Sequence, residues 1–180
     1  WGIYLDEGSS HILVENNIVY NTQSGGFHQH YGRENIIRNN IFALNKNGQI
    51  IFSKGEPPHI AFTFERNIVL TNGTPIFIGG YVEEFWRHNF RSNLNLFYDI
   101  SGKPLTFTET STGRKYDIKE WRNFGYDTYS IIADPKFKDI KKYNFTLAED
   151  SPALNIGFKQ INLKDVGARI RELSEKSPYF

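Results

Sequence analysis

The chain has 180 residues, enough for one domain with its own core, and its 21 basic and 20 acidic side chains leave a net charge of +1. This balance excludes the broad basic surface that nucleic acids or anionic membranes require, so neither is expected as a partner. The absence of cysteine excludes disulfides, thiolate catalysis and cysteine-ligated zinc, and no apolar run approaches the ~18 residues of a membrane span.

Four segments within residues 1–100 share one skeleton, which is the signature of a repeat architecture. Each contains a short alternating strand, a glycine-bearing corner, a second apolar strand, an asparagine turn and a third strand. The segments span residues 2–22, 26–45, 49–72 and 75–99. No helical periodicity lies between the strands, so these are not βαβ units. Three short strands per coil, stacked in parallel, predict an all-β, right-handed parallel β-helix of about four coils.

An asparagine followed by an apolar residue recurs at the same place in every segment. It is Asn17, Asn40 and Asn67 in the first three, and either Asn93 or Asn95 in the fourth. Asparagine tolerates the left-handed backbone region, and its amide can bond to the equivalent amide of the next coil, about 4.8 Å away. We therefore predict an asparagine ladder through these turns.

Charged residues precede these asparagines by two positions. They are Glu15, Arg38 and Glu65, with Arg91 next if Asn93 holds the asparagine column. Alternating charge on neighbouring coils predicts a structural ladder of ion pairs on a solvated face.

The first strand of each coil presents one outward face that carries candidate chemistry. Alternation along the first strand points Tyr4 and Asp6 outward. Aligning the glycine corners then places His28 above Tyr4 and His30 above Asp6. This register buries Gln29, which needs internal partners, whereas a slip of one residue would bury both histidines instead.

We assign catalytic roles to Asp6, His28 and His30, because adjacent coils would bring Asp6 and His30 within hydrogen-bond distance as an acid/base or orienting pair. Sugar hydrolysis needs two carboxylates roughly 5 to 9 Å apart, for which Asp6 and Glu7 are the candidates. Lyase chemistry needs a histidine, lysine or tyrosine base and a cation that neutralises a uronate. The residues expected to bind substrate are Tyr4, Glu7, Tyr31, Arg33 and Lys54.

Each of these residues also has a purely structural interpretation. Asp6 and Glu7 could cap a turn, because aspartate is a favoured turn residue. The two histidines could be ordinary solvent-facing strand residues, or they could hold a metal together with Asp6, since positions two apart on a strand share a face. We assign no metal ligands and expect no cofactor.

Residues 101–180 are expected to form an irregular cap packed on the last coil, because a solenoid must cover its apolar end. A short helix is predicted to start near Asp117, and Phe137 is predicted to plug the open end. Ser151, followed by proline, resembles a helix N-cap, and Gly157 resembles a left-handed stop.

Both the repeats and the tail resemble a known group of proteins. GIYLDEGSSHILVENNIVYNT (2–22) and GGFHQHYGRENIIRNNIF (25–42) resemble the β-helix repeats of bacterial secreted polysaccharide-degrading proteins. The motifs DP-x-F (134–137) and SPAL-x-x-GF (151–158) resemble those that close many β-helical glycoside hydrolases and polysaccharide lyases, including a family with xylanase and fucosidase members.

The resemblance implies a carbohydrate-active enzyme located in the extracellular or periplasmic space, with a polysaccharide or oligosaccharide as its partner. A glycoside hydrolase acting on plant-type polysaccharide is the first hypothesis, and a polysaccharide lyase acting on uronic-acid polymers is the alternative. A non-catalytic carbohydrate-binding or adhesin-like β-helix also fits, because such repeats encode mainly architecture.

The chain begins at Trp1, already inside a strand-like pattern, and contains no methionine. We therefore expect it to be the C-terminal portion of a longer protein whose upstream β-helix coils pack on the first coil. Catalytic residues could then lie in this segment or in the upstream coils.

Overall fold

The computed structural model describes residues 1–80, 89–164 and 166–167 of the chain. Three parallel sheets enclose one core, and each coil contributes one strand to each sheet in the same order. The protein is therefore a right-handed parallel β-helix of four coils, which confirms the predicted fold class. No helix in the described ranges is long and apolar enough to cross a membrane.

The strands are short and their order repeats along the chain. Sheet 1 contains β1 (Ile3–Leu5), β4 (Phe27–Gln29), β7 (Ile50–Phe52), β10 (Phe77–Gly79), β13 (Phe107–Glu109) and the antiparallel β14 (Lys115–Tyr116). Sheet 2 contains β2 (Leu13–Glu15), β5 (Asn35–Arg38), β8 (Phe62–Glu65) and β11 (Phe90–Asn93). Sheet 3 contains β3 (Ile18–Tyr20), β6 (Ile41–Ala43), β9 (Ile68–Thr71), β12 (Leu96–Asp99) and β15 (Ile131–Ile132).

Phenylalanine rings fill the interior between the three sheets. Strand alternation turns one side chain in two inward, and the buried rings on these positions stack along the axis, as for Phe62 and Phe90, whose centroids lie 5.0 Å apart. Buried aromatic side chains each remove a large apolar area from water, and their stacked and edge-on pairs add to that burial energy. The high phenylalanine content is therefore a property of the core.

The predicted asparagine ladder is present, and Asn95 holds its fourth position. The side-chain oxygens of Asn40, Asn67 and Asn95 accept hydrogen bonds from the backbone N–H of the asparagine in the preceding coil, at 3.0, 2.9 and 3.0 Å. The left-handed backbone, however, belongs to the residue before each ladder asparagine. These residues are Asn16, Asn39, Arg66 and Leu94, with φ between 51° and 60°.

The charge ladder forms only in part. Glu15 and Arg38 are in contact at 2.8 Å, and Arg38 lies opposite Glu65 in the next coil. Because Asn95 is the fourth ladder asparagine, Asn93, two residues before it, takes the next position in the charge ladder, opposite Glu65. Arg91 lies opposite Thr63 instead, one row away.

A short α-helix, Ile118–Asn123, closes the end of the solenoid. Asp117 is its N-cap, as predicted, and forms a capping box with Glu120. The helix places the fully buried Trp121 over the last coil, where its ring stacks on Phe107 at a centroid distance of 4.3 Å. Trp121 therefore plugs the interior, and the prediction that Phe137 does so is wrong. Phe137 lies outside, in a second apolar cluster.

The remainder of the C-terminal segment runs back along the outside of sheet 3. It contains an antiparallel hairpin, β16 (Phe137–Asp139) and β17 (Asn144–Leu147), and a 3₁₀ helix, Pro152–Ile156, with Ser151 as N-cap and Gly157 as left-handed C-cap. Both caps of this helix were predicted. The segment covers the outward apolar side chains of sheet 3, which are Ile41, Ala43, Ile68, Leu70 and Leu96.

This segment reaches the earliest coils. The backbone N–H of Lys159 donates to the side-chain oxygen of Asn39 at 2.7 Å, and the Tyr143 ring stacks on Tyr20 at 4.6 Å. The outward face of sheet 3 is thus covered, which leaves sheets 1 and 2 as the faces that can meet a ligand.

Candidate functional site

The outward face of sheet 1 has the predicted register. Tyr4 lies opposite His28, and His28 lies opposite Ile51. Gln29 is buried, and its side chain is satisfied there: it accepts from the Asn35 amide at 3.1 Å and donates to a backbone oxygen at 3.3 Å. These two bonds remove the difficulty of placing an amide inside the core.

Asp6, Glu7 and His30 form the polar centre of this face. His30 Nδ1 lies 3.4 Å from Asp6 Oδ1 and 3.7 Å from Glu7 Oε1, while the Tyr4 hydroxyl donates to Asp6 Oδ1 at 2.9 Å. The two carboxylates are largely exposed, at 71% and 62%, and the His30 side chain is 28% exposed. The three groups therefore converge where a ligand can reach them.

The electrostatics of the centre keep Asp6 ionised. The backbone N–H of Glu7 and the hydroxyl of Tyr4 both donate to Asp6, and they lower the pKa of its carboxyl. Partial burial and the adjacent carboxylate raise the pKa of Tyr4. At neutral pH this arrangement offers a carboxylate base next to the His30 ring.

His28 lies under two aromatic rings at one end of the same face. Its ring is 5.0 Å from Trp1 and 4.8 Å from Tyr4, its Nε2 is 2.7 Å from Ser53 Oγ, and the residue is 7% exposed. Its Nδ1 has no hydrogen-bond partner within the part of the chain that the structure describes. Burial lowers the pKa of His28 to about 4, so the ring is neutral at physiological pH.

This lowered pKa predicts a contribution of His28 to acid sensitivity. Below pH 6.5 the unfolded chain takes up a proton at His28 that the folded protein accepts only near pH 4, so stability falls as the pH drops through that range. We expect His28→Gln to flatten the decrease in melting temperature between pH 6.5 and 4.

The matched control for this prediction is His11→Asn. His11 is exposed and has a φ of 59°, a conformation that asparagine adopts readily. This variant should keep the pH dependence of the unmodified protein. If the melting temperatures of the His28 variant and the unmodified protein decreased equally between pH 6.5 and 4, His28 would not titrate as its burial requires.

The substrate-binding candidates at the corners divide into two groups. The Lys54 ammonium lies 4.5 Å from the centre of the Tyr31 ring, which itself contacts the His30 ring edge-on at 5.5 Å. Arg33 instead pairs with His59 at 3.1 Å and with Glu56 at 3.5 Å. The structure thus joins Tyr31 and Lys54 to the polar centre, whereas Arg33 belongs to a separate corner cluster.

Two residues of this face were not among the predicted site residues. Trp1 is 60% exposed, and its ring stacks on Tyr4 at 4.9 Å. Ser53 lies in the row of His30, yet its hydroxyl reaches diagonally to His28. Strand alternation could have indicated Ser53, because diagonal neighbours on a sheet face are within reach of long side chains.

The alternative in which His28, His30 and Asp6 hold a metal has no geometric support. Among residues 1–80, 89–164 and 166–167 no group of three histidine, cysteine, aspartate or glutamate side chains is placed to bind a metal ion. The ring of His28 is turned to Ser53, and only His30 is within reach of Asp6.

More than half of the chain is similar to a known protein family. The family model described as "Right handed beta helix region" matches residues 1–102 of the chain. No curated protein and no solved structure matches it. The matched residues include all four coils and every candidate site residue on sheet 1, so the match concerns the scaffold that positions this face.

Proposed function

Because this chain belongs to the right-handed β-helix family, in which stacked coils present continuous rows of side chains, we propose that the outward face of sheet 1 binds and hydrolyses a polysaccharide or oligosaccharide. The observation that carries this proposal is the convergence of two exposed carboxylates, Asp6 and Glu7, on His30 beside exposed aromatic rings. A polymer of this kind is encountered outside the cell, so we also place the protein in the extracellular or periplasmic space.

An elongated sugar chain fits the dimensions of this face. Successive coils repeat about every 4.8 Å, close to the length of one sugar unit, so one chain can contact several coils. The stacked rings of Trp1 and Tyr4 offer an apolar surface to the face of a sugar ring, while Tyr31 and Lys54 offer hydrogen bonds one and two coils further along, respectively.

The polar centre provides the groups that hydrolysis needs. Asp6, kept ionised by its hydrogen bonds, is the base that removes a proton from the attacking water. His30, which contacts both Asp6 and Glu7, is the acid that donates a proton to the departing glycosidic oxygen. Neutral and largely covered, His28 positions Tyr4 rather than exchanging protons itself.

A lyase acting on uronic-acid polymers is the second candidate. His30 contacts Asp6 and is the candidate base, and Lys54, joined to the polar centre through Tyr31, is a cation that can neutralise a uronate. A histidine base and such a cation are the parts that β-elimination requires. A non-catalytic carbohydrate-binding protein is a third candidate, for which the aromatic surface alone would suffice.

The proposal is tested by assaying the protein on a panel of plant and uronic-acid polysaccharides. We expect release of reducing ends, and a loss of activity of ~100-fold or more in Asp6→Asn and in His30→Ala, the scale for removing a general acid or base. Circular dichroism checks the folding of both variants. Asp134→Asn, an exposed aspartate far from the face, and His11→Asn should retain full activity.

Other outcomes separate the alternatives. An unsaturated product, detected by its ultraviolet absorbance, would show that the reaction is that of a lyase and not hydrolysis. Binding to a polysaccharide without any product would indicate the non-catalytic function. Full activity in both folded variants would remove the catalytic assignment from Asp6 and His30.

A further inference from the structure

A charged cleft lies away from sheet 1, where the asparagine turns between sheets 2 and 3 meet the C-terminal segment. Its volume is about 450 Å³, and among the described residues its lining has three cationic side chains, Arg38, Arg66 and Lys159, and one carboxylate, Glu15. Positive groups therefore outnumber negative ones on its walls. The predicted ion-pair ladder accounts for the pairing of Arg38 and Glu15 but not for this excess.

The wall that carries Lys159 is fixed to the turns by the side chain of Asn39. This amide accepts a hydrogen bond from the backbone N–H of Lys159 at 2.7 Å and donates to the Lys159 carbonyl oxygen at 3.0 Å. It also donates to the Asn16 side chain at 2.8 Å, and Asn39 is only 9% exposed. The backbone N–H and carbonyl oxygen of Lys159, 120 residues after Asn39 in the chain, thus fix this wall of the cleft to the asparagine turns.

The two guanidinium groups are held in place on the facing wall. Arg66 pairs with Glu65 through one terminal nitrogen at 2.8 Å and lies against Gly157, where an added Cβ would be 3.2 Å from Arg66 Nε. Arg38 pairs with Glu15 through its Nε at 2.8 Å. An arginine has five N–H donors, so each retains donors beyond its ion pair.

We propose that this cleft is a second binding site, which takes the carboxylate or sulfate group of an acidic saccharide. Preordered guanidinium groups match the two oxygens of such an anion, and Lys159 adds a compact charge. The side-chain exposures of Arg38 and Arg66, 44% and 38%, leave both accessible to a polymer. The site is independent of catalysis on sheet 1, and it shares with the proposed function only the class of ligand.

The test measures retardation in gels that contain an acidic polymer or its neutral counterpart. Polygalacturonate is paired with its methyl ester, and dextran sulfate with dextran, so that carboxylate and sulfate are distinguished. In this measurement the protein carries Asp6→Asn. If sheet 1 is catalytic, the substitution prevents degradation of the polymer, and if it is not, binding in the cleft can be measured all the same. We expect retardation by at least one acidic polymer and not by its neutral counterpart.

The double variant Arg66→Gln, Lys159→Gln should weaken that binding on the order of ten-fold, the effect of losing one or two charge-assisted hydrogen bonds. The control is Lys119→Gln, Lys138→Gln, which removes the same charge from exposed positions elsewhere and should change the affinity by less than about two-fold. If removing Arg66 prevents folding, Lys159→Gln alone should weaken binding about three-fold. An equal loss in the control, equal retardation by the neutral polymers, or no retardation by either acidic polymer would overturn the proposal.

Discussion

Replacement of Asp127 by alanine is expected to lower the free energy of unfolding by about 3 kcal/mol or more. Asp127 is fully buried near the end of the solenoid, and its carboxylate accepts four hydrogen bonds from side chains. The donors are Ser92, Trp121, Asn95 and Ser130, at 2.7, 2.8, 2.9 and 2.5 Å. Alanine would leave these donors inside the core without their acceptor.

Burial offsets part of the stabilisation that these four hydrogen bonds provide, since it raises the pKa of the Asp127 carboxyl despite the donors around it. Replacement by alanine also removes the cost of desolvating the buried carboxyl. The expected loss in the free energy of unfolding is therefore smaller than the sum of four charge-assisted hydrogen bonds. Asp127→Asn should also destabilise the protein, because its NH₂ group would face a donor where Asp127 offers only acceptors.

Urea unfolding followed by circular dichroism measures this effect. The matched control is Asp150→Ala, which removes an exposed carboxylate that pairs with Lys136 at the surface. That variant should unfold at the same urea concentration as the unmodified protein. An Asp127 variant as stable as this control would mean that the four donors find other partners in the end of the core.

Replacement of Trp121 by alanine is expected to cost about 3–5 kcal/mol, the range for removing a large buried aromatic side chain. Trp121 is fully buried and stacks on Phe107 at 4.3 Å, and its ring also lies 4.8 Å from Tyr126. The cavity would open at the end of the interior stack, next to the rings of Phe107 and Tyr126.

Two further variants separate packing from hydrogen bonding at Trp121. Trp121→Phe keeps an aromatic ring but loses the N–H that donates to Asp127, so it should cost about 1–3 kcal/mol. Trp1→Ala removes an exposed indole and should cost less than about 1 kcal/mol. If Trp121→Ala were no more destabilising than Trp1→Ala, Trp121 would not be the plug of this core.

The effects at Asp127 and Trp121 should not add. The two side chains share a hydrogen bond of 2.8 Å, and residues in one network generally show coupled energies. The double variant Asp127→Ala, Trp121→Ala is therefore expected to lose less stability than the two single variants together.

The coil pattern could be predicted from the sequence because its rules are local. Strand alternation, glycine corners and the recurring asparagine were enough to place Tyr4 opposite His28 and to bring His30 to Asp6. The choice between Asn93 and Asn95 depended on the partner beyond the last coil, Ser130, which accepts the final backbone N–H of the ladder. No pattern within the repeat contains that information.

Features that depend on distant parts of the chain could not be predicted in this way. Trp121 closes the interior because the chain leaves the end of the solenoid after the helix and carries Phe137 to the outer cluster. From the sequence alone, either aromatic residue could cover an apolar end. The low pKa of His28 results from the rings that cover it, and an outward position on a strand does not reveal that cover.

The return of the C-terminal segment along sheet 3 has a consequence for how this protein folds. In a simple solenoid each repeat contacts only its neighbours, so stability is nearly a sum over repeats and unfolding can begin at either end. Here the contact between Lys159 and Asn39 ties positions 120 residues apart, and Tyr143 reaches the first coil. Loss of the early coils would release the segment that covers the later ones. The coils and the returning segment should therefore fold as one cooperative unit, and slowly, because such distant contacts require a long loop to close first.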